Sequence, residues 1–190
     1  VLRDSSALVL SDEVYEHIVF DGRKHASLLS RPELAARSFV VSSFGKTFHC
    51  TGWKIGYCTA PPALTTEFRK VHQFVQFAVA TPMQAGLAGF LAECPQHSLE
   101  LPAFYQAKRD YFCRLLSDTP LAFTPSAGTY FQLADYSAVS DLPDVQFARW
   151  LTPALDSAYL GRAARLAPLR WALRAYWRAA LSAAGERPLR

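Results

Sequence analysis

Two short apolar runs, Ala7 to Leu10 and Phe39 to Val41, constrain the fold of this chain more than any other feature. The first ends at Ser11-Asp12 and the second at Ser42-Ser43, just before Gly45. Neither alternates apolar with polar residues, so both read as buried strands of a parallel sheet rather than half-exposed ones. Parallel neighbours require a crossover, and Pro32 to Arg37 can supply one or two turns of helix between them. A third apolar segment, Ile55 to Thr59, stops at the Pro61-Pro62 breaker. Ligands of such sheets bind beyond the carboxyl ends of the strands, which places Asp12, Tyr15, Ser43 and Lys46 on one rim.

From Ala63 to about Leu91 the apolar spacing is helical, and Pro82 is suited to open a second helix after Thr81. Pro102 to Leu116 predicts another helix, with Lys108, Arg109 and Asp110 on its wet side. Ala122 to Ala134 carries Gly128 between Phe123 and Thr129-Tyr130-Phe131, the pattern of strands around a turn. The expected fold class is α/β. Residues 1–100 form part of a large domain, 101–152 begin a small α+β domain, and 153–190 are a divergent tail. Within 151–190 there are eleven alanines and seven arginines, with Asp156 and Glu186 as the acidic residues.

Composition excludes several classes of function. With 51% hydrophobic and 19% charged residues in 190, the chain is globular rather than disordered. The formal charge of +4 belongs to the tail, since residues 1–150 hold 13 basic and 14 acidic side chains. No recognised nucleic-acid module accompanies that Arg/Ala/Leu mixture, so no nucleic-acid partner is expected. Cys50, Cys58, Cys94 and Cys113 have neither metal-ligand nor redox-pair spacing and read as free thiols of a reducing compartment. No apolar run is long enough to span a bilayer, and the start lacks the order of a signal peptide, so no membrane partner and a cytoplasmic location are expected. The chain does not open on Met and enters a strand almost at once, as a piece of a larger protein would.

Gly45-Lys46-Thr47 invites comparison with a phosphate loop, but that loop needs a glycine where Val40 stands inside the strand. What remains is a lysine on a tight turn after a buried strand, close to Ser43. At the end of the first strand, Ser11-Asp12-Glu13-Val14-Tyr15 brings an acid and a phenol three residues apart, close enough on a helical turn to meet one ligand. Each residue also has a plainer role: Asp12 as a helix cap, Tyr15 as core packing, Ser43 as the cap of its turn, and Lys54 as a surface charge. Together, a lysine, an acid, a phenol and a serine on one rim match what pyridoxal 5'-phosphate requires: an amine for its aldehyde, a carboxylate facing its ring nitrogen, and donors for its phosphate. His17, His25, His49, His72 and His97 show no ligand spacing, and no metal is expected.

The motifs Asp12-Glu13-Val14-Tyr15, Ser43-Phe44-Gly45-Lys46-Thr47, Thr51-Gly52-Trp53-Lys54 with Gly56, and Gly128-Thr129-Tyr130-Phe131 occur in the order found in the fold-type I aminotransferases, which the chain resembles over roughly residues 5–152. Val71-His72-Gln73-Phe74 and Ala134-Asp135-Tyr136-Ser137 are similar to the methionine and kynurenine aminotransferase branch. The resemblance implies a mainly parallel, three-layer large domain and a homodimeric full-length protein. It implies that Lys46 carries the cofactor as a Schiff base, Asp12 pairs with the pyridinium nitrogen, Tyr15 hydrogen-bonds the phenolic oxygen, and Ser43 and Lys54 hold the phosphate. The implied reaction is amino-group transfer from an amino acid, methionine or an aromatic one, to a 2-oxo acid.

Beyond Thr152 the family pattern stops. Arg170 and Arg174 have neighbours that do not match the segment carrying the family's substrate-binding arginine, so no arginine is assigned that role; an altered reading frame would account for the change. Two alternatives accompany transamination: a non-catalytic, aminotransferase-like remnant, and β-elimination from cysteine conjugates, which shares the same carbanion. The isolated chain is expected to be nearly inactive and to expose apolar surface that other parts of the fold would cover.

Overall fold

The computed structural model describes Leu2 and residues 5–157. Strand β1 (Val9–Asp12) lies parallel to β2 (Ser38–Ser43), pairing Val9 with Ser38 and Asp12 with Val41. Helix α1 (Pro32–Ala35) provides the crossover, with Pro32 at its first turn, where the missing N–H costs nothing. Arg37 ties down the approach to β1: its guanidinium donates to the carbonyls of Leu2, Ser5 and Ala7.

Strand β3 (Gly56–Thr59) runs antiparallel to β2, pairing Ser43 with Gly56 and Val40 with Thr59. The chain returns through a one-turn helix, α2 (Phe44–Thr47), and a 3-10 turn at Thr51–Trp53, a connection too short for a parallel crossover. Gly56 is required at the reversal, because a Cβ there would sit 2.6 Å from the Ser42 carbonyl oxygen. The three-stranded sheet therefore contains one parallel and one antiparallel pairing.

The strands are also less buried than their apolar runs suggest. Strand β2 alternates buried and half-buried residues, and Leu10 on β1 is 72% exposed. Among the described residues β1 has a strand on one side only, and its Leu8 and Leu10 face has no layer over it.

Helices α3 (Pro62–Val75) and α4 (Thr81–Glu93) fall where the spacing predicts, each with proline in its first turn. Phe68 of α3 lies 6.3 Å from Phe39 of β2, ring to ring. Helix α5 (His97–Leu116) starts ahead of its expected proline: Leu99 and Glu100 donate to the Gln96 carbonyl, and Pro102 is carried inside the helix. Proline's fixed φ suits a helix, so its cost here is confined to one lost bond and local crowding.

By its contacts the chain divides into Val1–Ala103 and Phe104–Arg190. The first unit buries Ile18, Phe20, Val40, Ile55, Leu87 and Leu101. In the second, Leu116 is packed by Phe112, Leu121, Phe123, Val139 and Leu151. The strands expected in Ala122 to Ala134 reduce to one antiparallel bridge, Ala122 to Asp135. Side chains organise the loop instead: Gln132 donates to the Thr124 carbonyl and accepts from the Ser126 N–H, while Arg109 donates to the Ser126 carbonyl at 2.7 Å. Helix α6 (Asp144–Ser157) carries helical structure into the start of the divergent segment. The rest of that segment, with Arg170 and Arg174, lies outside the described residues. Among the described residues no helix is long and apolar enough to cross a membrane.

The junction of β1 with its following loop depends on Glu13, which is 6% exposed and accepts from the Ser11 hydroxyl at 3.1 Å, His25 Nε2 at 2.8 Å and the Leu28 N–H at 3.0 Å. Burial alone would push this carboxyl up, but the hydrogen bonds from His25, Leu28, Ser27 and Ser11 outweigh it and hold the group below the ordinary glutamate range.

The Gly56 contact and the Glu13 hydrogen bonds each predict a measurable change in stability. Gly56→Ala should lower stability to urea by about 1–3 kcal/mol through the Ser42 carbonyl clash. Gly89→Ala, whose Cβ on α4 meets nothing within 4 Å, should leave it unchanged or raise it by up to about 1 kcal/mol. A depressed folded-state pKa gives stability that is present above the unfolded value and lost as pH falls through the folded one. Urea midpoints measured from pH 6 downward should therefore drop below about pH 4.3 in the parent, and drop less steeply in Glu13→Gln.

Candidate active site

The parallel pairing of β1 with β2 determines which polar residues share a face. Side chains alternate along a strand, and partners directly opposite share a side. Asp12, Val41 and Cys58 are such partners across the three strands, and Ser43 shares their side. Glu13, Ser42 and Tyr57 point the other way. Asp12 is accordingly exposed while its neighbour Glu13 is buried.

Asp12 Oδ1 accepts the Val14 N–H at 3.1 Å, and the Glu13 N–H donates to the Val41 carbonyl at 2.8 Å, carrying the pairing past the end of the strand. The chain then turns through 14–17, with the Ile18 N–H donating to the Tyr15 carbonyl, and Tyr15 is half-buried. On the opposite face Glu16 accepts from the Ser42 hydroxyl at 2.9 Å and from the Tyr57 hydroxyl at 2.5 Å, tying the turn after β1 to β2 and β3. Burial, then the hydrogen bond to Glu16, pushes the Tyr57 phenol up, so it remains a donor at neutral pH.

Lys46 stands on α2 directly beyond the carboxyl end of β2 and is half-buried. A single helical turn cannot satisfy its own backbone groups, and here the flanking residues do so. Ser43 Oγ accepts the Gly45 N–H at 3.0 Å and donates to the Ile55 carbonyl at 3.2 Å. Thr51 Oγ1 donates to the Gly45 carbonyl at 3.0 Å, and the Phe48 N–H to the Phe44 carbonyl at 2.9 Å. Gly45 makes this possible, since a Cβ there would sit 2.9 Å from the Thr51 Cα. His49 and Lys54 bracket the return turn, both left-handed with φ of 55°, each at a cost of about 1–2 kcal/mol for a residue with a Cβ. Such strain collects at sites where the backbone must present groups in a set direction. Lys54 is exposed, and the Trp53 ring lies against Gly86 of α4.

Asp12 thus ends β1 and Lys46 follows the end of the adjacent parallel strand β2, with Tyr15 in the turn beyond β1 and Lys54 at the end of the return turn. The Ser43 hydroxyl acts as a cap, with its proton directed to the Ile55 carbonyl. The donor set suits pyridoxal 5'-phosphate: an amine on a fixed turn, an exposed carboxylate at the end of the neighbouring strand, a phenol and a second cation.

Two groups beside the site escaped sequence reasoning. Glu13 lies inside the recognised motif, yet nothing in the pattern distinguishes its buried carboxylate from the exposed one of Asp12. His97 Nε2 is 2.7 Å from the Thr47 carbonyl oxygen, fifty residues away in the chain, and no local signal announces that pairing.

Residues 1–156 match the family described as aminotransferase class I and II. Methionine aminotransferase from Escherichia coli is 55% identical over 144 residues, covering 76% of this chain and 37% of the relative. A kynurenine–oxoglutarate transaminase from Dictyostelium discoideum is 38% identical over 133 residues, covering 69% and 31%. Among solved structures, an Escherichia coli methionine aminotransferase superposes with a TM-score of 0.75 at 53% identity, covering 78% of this chain and 39% of that one. The chain therefore spans less than half the length of the relatives it matches. Over that span the sequence and the α/β fold agree with theirs, and the chain belongs to the aminotransferase class I and II family.

Proposed function

We propose that this chain supplies the lysine-bearing part of a transaminase that uses pyridoxal 5'-phosphate to move an amino group from an amino acid to a 2-oxo acid. The observation that carries this reading is the placement of Asp12 as the last residue of β1 and Lys46 just beyond the end of the adjacent parallel strand β2, each held by its own hydrogen-bonded turn. Methionine or an aromatic amino acid is the proposed donor, supported by similarity to methionine aminotransferase and to kynurenine–oxoglutarate transaminases. The relatives are aminotransferases across the matched span, which gives the remnant alternative no support.

When bound, the cofactor supplies an electron sink for the pair left behind as the substrate's Cα–H bond breaks. The rest falls to the protein. The Lys46 amine anchors the cofactor and afterwards takes and returns the Cα proton, a double duty that requires its turn to stay fixed. The Asp12 carboxylate would hold a proton on the ring nitrogen. Tyr15 donates to the ring oxygen. Lys54 and Ser43 hold the phosphate, the Ser43 hydroxyl turning from the Ile55 carbonyl to do so. A homodimer is part of the same proposal, supported by the exposed apolar end of α3, where Phe74 is 85% exposed beside Val71, Val75 and Phe77. So is a reducing, cytoplasmic setting, supported by four free cysteines.

Substitutions in the full-length protein should separate these roles. Lys46→Ala should abolish the borohydride-reducible bond to pyridoxal 5'-phosphate, read by mass spectrometry of the reduced peptide. Asp12→Ala should keep that bond but slow exchange of the substrate's Cα hydrogen by at least about a hundredfold, and Tyr15→Phe should slow it less. Cofactor still reduced onto the protein in Lys46→Ala would mean that another lysine is the anchor.

A further inference from the structure

The turn that carries Lys46 is held from outside its own segment by His97. Thr47, the last residue of α2, is 2% exposed, and its carbonyl oxygen lies 2.7 Å from His97 Nε2. A carbonyl can only accept, so the imidazole proton belongs on Nε2. Neighbouring rings confine the imidazole: Phe48 stacks on it at 5.5 Å and 23°, while Phe90 and His49 meet it edge-on at 5.3 Å and 5.5 Å.

Other bonds to the turn come from residues close to it in the chain. The Phe44 carbonyl accepts from the Phe48 N–H and Cys50 Sγ, and the Gly45 carbonyl from Thr51. With the Phe44 N–H donating to the Ile55 carbonyl at 3.1 Å, these bonds hold the turn to residues no further along the chain than Ile55. His97, at the start of α5, ties the turn to a separate element. A group that must meet both cofactor and substrate tolerates little misplacement, since 1 Å can cost about a hundredfold in rate.

We propose that His97 is a positioning residue for Lys46, fixing through the Thr47 carbonyl the direction in which the lysine amine is presented. This rests on the assignment of Lys46 as the cofactor-bearing amine, so the test reads the lysine directly. His97→Phe keeps the ring and removes the donor, whereas His97→Gln places an amide N–H at nearly the same reach and restores it. In the cofactor-free chain, trace acetylation of Lys46 is measured by mass spectrometry against exposed Lys70 of α3, together with amide hydrogen exchange across residues 44–48. His97→Phe should speed that exchange about tenfold and shift the Lys46-to-Lys70 ratio several-fold, and His97→Gln should bring both back to within about twofold of the parent. An unchanged ratio in His97→Phe, or identical behaviour of the two variants, overturns the proposal. The parent protein provides a check that needs no variant: nitrogen-15 spectra at pH 8 should show the His97 proton on Nε2, and an Nδ1–H tautomer also overturns it. Adding pyridoxal 5'-phosphate and then borohydride separates the two ideas. Trapping at a different lysine while the Lys46 ratio still follows His97 defeats the cofactor assignment and leaves the positioning role. Trapping at Lys46 with no dependence of its labelling on His97 does the reverse.

Discussion

The parallel pairing of β1 with β2 is the constraint on which the candidate site depends. It brings Asp12 level with Val41, and the Glu13 N–H extends it to the Val41 carbonyl, so both strands deliver their carboxyl ends to one rim. Slipping β1 by one residue would exchange its two faces, burying Asp12 and turning Glu13 outward. Burial of Glu13 opposes that slip. A carboxylate with three hydrogen-bond donors arranged around it can be accommodated in one register only, because losing those partners inside the protein is far costlier than leaving Asp12 in water.

The sheet thus separates two kinds of carboxylate. On the buried side Glu13 and Glu16 are fully engaged, Glu13 with the loop through His25 and Leu28, Glu16 with Ser42 and Tyr57. Their charge supports structure. On the other side Asp12 makes one short-range bond to the Val14 N–H and otherwise faces outward, available to a ligand. The same face carries Leu10, whose exposure fits a chain that spans less than half the length of its relatives.

The lysine turn is rigid for a different reason. Four residues of helix have almost no intrinsic stability. Here α2 persists because nearly every group it leaves open meets a partner: Ser43 and Thr51 from the flanking sequence, and His97 from α5. Gly45 lets Thr51 of the return turn approach its backbone, and left-handed His49 and Lys54 bend the chain back sharply enough to place β3 beside β2. Local strain and local capping are two sides of one arrangement, in which the backbone is bent tightly so that one amine projects from a fixed base.

Much of this was legible in the sequence because it is local. Apolar runs ending in Ser-Asp and Ser-Ser marked β1 and β2, helical spacing from Ala63 marked α3, Pro82 marked the opening of α4, and the order of motifs around Asp12 and Lys46 indicated the family. Only the tertiary structure decided what depends on distant partners. The antiparallel direction of β3 follows from how Ser43 and Gly45 pack on Ile55 and Thr51, and the open face of β1 from what lies beside it. The burial of Glu13 against the exposure of Asp12 depends on His25 and Leu28, and the anchoring of Thr47 on a histidine fifty residues away. Residue type and spacing encode which groups are able to hydrogen-bond. Which of them meet is a property of the folded chain, because a buried polar group accepts whatever partner the packing brings within about 3 Å.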